Sequence, residues 1–346
     1  MTKPFGLVVP NYEEIGIKGP YLGDLVWEKL KDNPDFEYIP VKYIRFKDTS
    51  GKVITTKSVR NKNIYVIHPY YVQHDTHTEI ACWIADELKR SGAKTVNLFD
   101  LYNRSFRQDK RKERESLNAK WIADKYSLAG IDRVFTFDPH SDQVQLAFKK
   151  CPLEELHLSQ ELADYFVKNY DTSNCTVCSP DFGAYGRAER TANLLGLPLV
   201  VLRKVRLTSD KSEIEIIGNI EKDVINRDVI IRDDVCGTAG TLIEAANALK
   251  EKGARKIYAL ISHIDLCKGN DEEMQKAKQR IIENNIKVIA TNTTAPTFSE
   301  EEKKYFDIVD ISPLIAEIIS VHSKGESISR FFEDRLHKNK KLEIKL

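Results

Sequence analysis

The run 229–231 is apolar and stops at two adjacent carboxylates, Asp233 and Asp234. Five small or hydroxyl residues follow, Gly237-Thr238-Ala239-Gly240-Thr241, and then a stretch with a helical apolar stripe. The pattern reads as a strand, a turn almost free of side chains, and the start of a helix. In open parallel sheets, ligands bind beyond the carboxyl ends of the strands. The first amides of a helix lack intrahelical acceptors and carry the positive end of its dipole, so a bare turn there is suited to a phosphate. Thr238 and Thr241 add hydroxyl donors. Paired carboxylates accept hydrogen bonds from neighbouring sugar hydroxyls, or hold a hydrated Mg²⁺. Phosphate on one side and a diol on the other describes a ribose phosphate.

The elements that must position these residues follow a repeating pattern. The β-rich run 63–69 is followed by a helical segment in which Ile80, Trp83, Ile84 and Leu88 share one face and Gly92 marks the stop. A strand over 95–99, a helix ending at Gly130 and a strand over 133–137 continue the scheme, and a further helix is expected over 20–31. Strands alternating with helices of this length predict right-handed βαβ units and a parallel sheet. The second half repeats it. "ELKRSGAKTVNLFDLY" and "ALKEKGARKIYALISH" both read as a helix end, Gly-Ala, a basic residue and a strand. Two similar α/β halves in tandem are therefore expected, with the break near Pro152.

Composition narrows the class. The 53 Lys and Arg nearly cancel the 52 Asp and Glu, so a polyanion is not the expected partner and nucleic acid is disfavoured. No apolar stretch reaches the length needed to cross a bilayer, and the first residues lack a signal peptide's apolar region. One CxxC, Cys175 and Cys178, has no second pair or nearby His and reads as buried thiols in a reduced, cytoplasmic setting.

Several ordered segments resemble the ribose-phosphate pyrophosphokinase (PRPP synthetase) family. These are "FRQDKR", "DRVFTFDPHSDQVQ", "SPDFGAYGRA", "VVLRKVR", the diacid loop, "VIATNTTAP" and "HSKGESISRFF", covering about residues 46–332. The resemblance implies two tandem phosphoribosyltransferase-like (type I) α/β domains, 1–152 on the ATP side and 153–329 on the ribose-phosphate side. A charged tail, 330–346, follows them. It implies transfer of the β,γ-diphosphate of ATP to the C1 hydroxyl of a ribose, with Mg²⁺. Lys204 and Arg206 match the family's catalytic cations. Arg107, Gln108, Asp109 and His140 match its ATP-binding segments. Phe46 and Asp48 match a loop that reaches the adenine of a neighbouring subunit, which implies a homodimer or hexamer. Asp181, Asp233, Asp234, Gly237, Thr238, Ala239, Gly240 and Thr241 match the ribose-phosphate side, and His140 and Asp181 its metal positions. Arg187 and Arg190 read as a solvated helix face.

Departures from the family pattern are also present. Gly237 stands where the family's loop has a third acid, Ser50 where its adenine loop has Glu, and Pro139 where its metal segment has Leu. Arg232 replaces an apolar residue just before the diacid. Loss of an acid and gain of a cation beside the 5-phosphate pocket raise a second expectation, a 5′-extended acceptor such as ADP-ribose. A non-catalytic regulatory homologue is the third.

Overall fold

The computed structural model describes residues 3–15, 17, 19–70, 74–206 and 212–332, with the side chains of Ile15, His74, Asp75, Arg206, Ser212 and Glu213 outside the description. The charged tail expected over 330–346 lies outside it from residue 333 onward.

Two compact units emerge, each built on its own sheet. Unit 1 comprises residues 1–156, 293–295 and 310–328. Its strands are β1 (Phe5–Asn11), β2 (Phe36–Arg45), β3 (Gly51–Thr55), β4 (Asn63–His68), β5 (Thr95–Asp100), β6 (Arg133–Phe137) and β7 (Leu153–Leu156), ordered β3-β2-β1-β4-β5-β6-β7. Helices α1 (Leu22–Leu30), α2 (His74–Arg90) and α3 (Asn118–Leu128) flank the sheet in sequence order. Unit 2 contains α4 (Ser159–Asn169), α5 (Tyr185–Leu195), α6 (Ile220–Asp223), α7 (Gly240–Glu251) and α8 (Asp271–Glu283). Its strands are β8 (Cys175–Ser179), β9 (Leu199–Arg206), β10 (Ser212–Ile217), β11 (Asp228–Cys236), β12 (Lys256–Ile264), β13 (Ile286–Thr291) and β14 (Phe306–Val309). They are ordered β10-β9-β8-β11-β12-β13-β14. The second order is the first with every strand advanced by seven places. All pairs are parallel except the β2–β3 and β9–β10 hairpins at one edge of each sheet.

The expected pair of parallel α/β sheets is thus present. The central strands β1, β4, β8 and β11 are buried for most of their length, the pattern of a sheet covered on both faces. Helix α9 (Ser312–Ser323) follows the last strand of unit 2 in sequence yet belongs to unit 1, where it packs beside α1. Cys175 and Cys178 lie three positions apart on β8 and so face opposite sides of the sheet. They form neither a disulfide nor a metal pair, and among the described residues no helix is long and apolar enough to cross a membrane.

Candidate active site

In unit 2 the chain reverses its direction of progress across the sheet between β8 and β11. This is the switch point at which ligands bind in doubly wound folds. The β8–β11 ladder ends at Cys178 and Ile231. β11 continues to Cys236, paired there with β12. Asp233 and Asp234 therefore lie within the strand, short of the end expected for them, but beyond the last rung to β8.

The two acids differ. Asp234 is buried and Asp233 half-buried. The Asp234 amide donates to Asp233 Oδ1 at 2.9 Å. Burial, then the adjacent Asp234, then Asp181 push the Asp233 carboxyl well above the usual carboxylate range. Among the described residues no ion pair joins a cationic side chain to it. Asp234 has a cation: Nη2 of Arg187 lies 3.7 Å from its Oδ2. Arg187 is buried, so its assignment to a solvated face is corrected. Arg190, one turn on, is half-buried.

After Cys236 the chain enters the bare turn. The Cys236 carbonyl accepts the amides of Asp265 and Leu266 at 3.0 and 2.8 Å, and Arg280 donates to the Thr238 carbonyl at 3.0 Å. These bonds hold the turn from outside. Ala239 sits at φ 62°, ψ 6°, directly before α7, and caps nothing itself, while Thr238 Oγ1 accepts the Gly240 amide at 3.4 Å. A Cβ added at Gly237 would meet nothing within 4 Å. The space beside it is open, which suits an approaching anion. Asp181 is exposed in the turn after β8, where its Oδ1 accepts the Ala184 amide at 2.9 Å. Lys204, on β9, is exposed, and its Nζ is 2.9 Å from Oε2 of Glu244 on α7. The side chain of Arg206 lies outside the described residues.

Arg232 requires a correction. It is fully buried, and its guanidinium donates to the carbonyls of Asp233 and Leu260 and, at 2.9 Å, to Ser262 Oγ. It ties β11 to β12 inside the sheet, so its guanidinium is enclosed and not a side chain that a ligand would contact.

Unit 1 carries the remaining candidates. Arg107 and Gln108 are exposed at the end of a 3-10 turn, Arg104–Arg107, that Asn103 caps through Ser105. Asp109 accepts the Ser141 hydroxyl, which joins the Arg-Gln-Asp segment to exposed His140. Phe46 is 46% exposed in the β2–β3 turn, with Lys52 Nζ 5.5 Å from its ring centre. Asp48 accepts the Ser50 amide and hydroxyl at 3.0 and 2.6 Å. His140 and Asp181 belong to different units. Among the described residues no three His, Cys, Asp or Glu side chains cluster to hold a metal by themselves. The oxygen donors of Asp181 and Asp233 still suit Mg²⁺, which keeps several waters and shares substrate phosphates.

Sequence reasoning missed Arg187, Glu244 and Arg280. A signal for Arg187 was available: it adjoins Ala188, Thr191 and Ala192, the small buried face of α5.

Two like-ordered, mainly parallel sheets, one carrying a diacid strand segment and a bare turn at its switch point, define a phosphoribosyltransferase-like fold. Comparison with known proteins places the chain within a family. Residues 18–130 match the N-terminal domain of ribose phosphate pyrophosphokinase, and residues 184–333 the phosphoribosyl synthetase-associated domain. The chain is 35% identical over 289 residues to a ribose-phosphate pyrophosphokinase of Helicobacter hepaticus, covering 83% of this chain and 89% of the relative. It is 34% identical over 292 residues to that of Bacillus caldolyticus, covering 84% and 88%. The crystal structure of phosphoribosylpyrophosphate synthetase from Mycobacterium smegmatis superposes with a TM-score of 0.79 at 28% identity, covering 93% of this chain and 100% of that one. The chain belongs to the ribose-phosphate pyrophosphokinase family.

Proposed function

We propose that the protein transfers the β,γ-diphosphate of ATP to the C1 hydroxyl of ribose 5-phosphate, giving phosphoribosyl pyrophosphate and AMP. The C1 oxygen bonds to the β-phosphorus, the bond from that phosphorus to the α–β bridging oxygen breaks, and the hydroxyl proton is released. The observation that carries this reading is the bare turn 237–241 at the start of α7, with open space beside Gly237, which follows Asp233 and Asp234 at the unit 2 switch point.

In this reading the 5-phosphate lies on the amides and hydroxyls of residues 237–241, and Asp233 accepts the ring hydroxyls. Arg107, Gln108, Asp109 and His140 receive the nucleotide. Phe46 and Asp48 serve a neighbouring subunit's nucleotide in a homodimer or hexamer. His140 on unit 1 and Asp181 on unit 2 would be the side chains offered to Mg²⁺, which when bound would supply positive charge to the diphosphate. Phosphoryl transfer asks the protein mainly for positioning and charge stabilisation. Lys204 rests on Glu244 in an exposed pair, and such pairs are weak, so an arriving diphosphate competes readily for its ammonium. Lys204→Ala should lower kcat by about 10²- to 10³-fold with little change in stability; AMP release and thermal melting measure the two.

The fully buried position of Arg232 removes it as a direct contact for a 5′-extended acceptor. Incubation with Mg-ATP and a panel of ribose compounds, with products identified by mass, tests the function. Phosphoribosyl pyrophosphate and AMP from ribose 5-phosphate are expected. No AMP release, or diphosphorylation of ADP-ribose alone, would overturn the assignment.

A further inference from the structure

The β8–β11 ladder stops at Cys178 and Ile231, where β8 is one residue from its end and β11 runs on to Cys236. One wall of the candidate site is the turn after β8. Ser179 Oγ donates to the Asp181 carbonyl at 2.7 Å, and Asp181 Oδ1 holds the Ala184 amide. The other wall is the length of β11 beyond that ladder, which carries the diacid. Arg187, the third residue of α5, spans them. Its Nη1 donates to the Gly183 carbonyl at 3.4 Å, and its Nη2 lies 3.7 Å from Asp234 Oδ2. The Arg187 and Asp234 side chains are 9% and 8% exposed. The Asp234 amide then donates to Asp233 Oδ1. A continuous series of polar contacts thus runs from the Asp181 turn through Arg187 and Asp234 to Asp233.

We propose that Arg187 is a positioning residue for ribose binding: it clamps Asp234 to the Asp181 turn, fixes the separation of the two walls, and leaves Asp233 as the carboxylate that meets the sugar. The inference rests on the proposed diphosphokinase reaction. An ion pair buried only for stability is often replaceable by apolar side chains without loss. This one joins the two strand ends between which the ligand must fit. Arginine suits the task because its rigid fork addresses a carbonyl and a carboxylate together, which an ammonium does less well.

The test measures KM for ribose 5-phosphate, KM for ATP, kcat and thermal melting. The proteins are wild type, Arg187→Met, Arg187→Lys, Asp234→Asn and the Arg187→Met/Asp234→Asn double variant. Arg187→Met should raise KM for ribose 5-phosphate by about tenfold, the loss of one charge-assisted contact, and leave KM for ATP unchanged. Arg187→Lys should recover part of that loss. Asp234→Asn should resemble Arg187→Met, and the double variant should be no worse than either single one, because both substitutions break the same coupling. A merely structural arginine would lower the melting temperature and leave both KM values in place; that result, or additive effects in the double variant, overturns the proposal. Should Arg187→Met fail to fold, Arg187→Lys and the double variant, which leaves no unpaired charge at this contact, carry the same comparison. Wild-type protein inactive on ribose 5-phosphate would sink the proposed reaction and this inference with it, whereas active wild type with an unmoved KM in the variants sinks the inference alone.

Discussion

The Asp233 carboxyl is half-buried, beside Asp234 and Asp181, and burial is the largest of the influences that raise its pKa. At low pH it is neutral folded or unfolded and its contribution to stability is intact. As pH rises, the unfolded chain releases this proton first, so stability falls until the folded group also ionises. Asp233→Asn removes that penalty. Without ligand or divalent cation it should melt higher than wild type at pH 7.5, with the difference closing under acid conditions where both side chains are uncharged. Its kcat/KM for ribose 5-phosphate should fall by about 10²-fold, since charge-assisted hydrogen bonds are replaced by neutral ones. Melting curves across pH and initial rates check both halves; a melting difference that does not change with pH contradicts the burial argument. The diacid and the bare turn were legible in sequence because they break an apolar pattern abruptly. Arg232 was not: a cation next to acids reads as surface charge, and only the β11–β12 pairing reveals that it is enclosed. Arg187 was legible only through the small residues that share its face of α5.

Among the elements, the carboxyl ends of β4 and β5 in unit 1 hold a buried polar network that sequence reading left unassigned. His68, at the end of β4, has its Nδ1 2.8 Å from the Tyr12 hydroxyl and its Nε2 2.9 Å from the His77 carbonyl. A carbonyl only accepts, so Nε2 carries the proton, and the neutral ring accepts from Tyr12 at Nδ1. The His77 ring stacks on it at 4.0 Å, and His77 bonds in turn to Asp100, at the end of β5, at 2.8 Å. Asp100 also accepts from Asn103 and Tyr126. Burial, and next the adjacent His77, pull the His68 pKa down to about 3. The unfolded chain therefore takes up a proton near pH 6.5 that the folded protein refuses, and stability falls as pH drops below that point. Between pH 7 and pH 5 this one group should cost about 2 kcal/mol. His68→Gln, which retains a donor and an acceptor, should show a shallower loss over the same range in denaturant titrations; parallel slopes would refute the assignment. Each residue of the network was visible in sequence, but their convergence depends on the β4–β5 register.

For the whole molecule, the repeated strand order shows how far local pattern reaches. Helix, Gly-Ala, basic residue and strand recur in both halves because each parallel βαβ unit needs the same stop and the same return, so the duplication could be read without a structure. The destination of α9 could not. Its apolar face, with Ile315, Ile318 and Ile319 fully buried, suits either sheet. It joins unit 1 beside α1, where His322 Nδ1 lies 2.7 Å from the Tyr65 hydroxyl on β4 and the ring meets Phe135 on β6 edge to face at 5.3 Å. Nothing local encodes that partner, because Tyr65 lies 257 positions away in sequence. A charge placed on this face should therefore injure the unit that is remote in sequence and spare the one that immediately precedes it. Ile318→Asp puts an unpaired carboxylate into an apolar contact, a cost of several kcal/mol. Hydrogen exchange resolved by peptide should show β1 and β4 losing protection while β11 and β12 keep theirs. Equal loss in both sheets would mean that the two units unfold as one, and loss confined to β11 and β12 would mean that α9 supports unit 2.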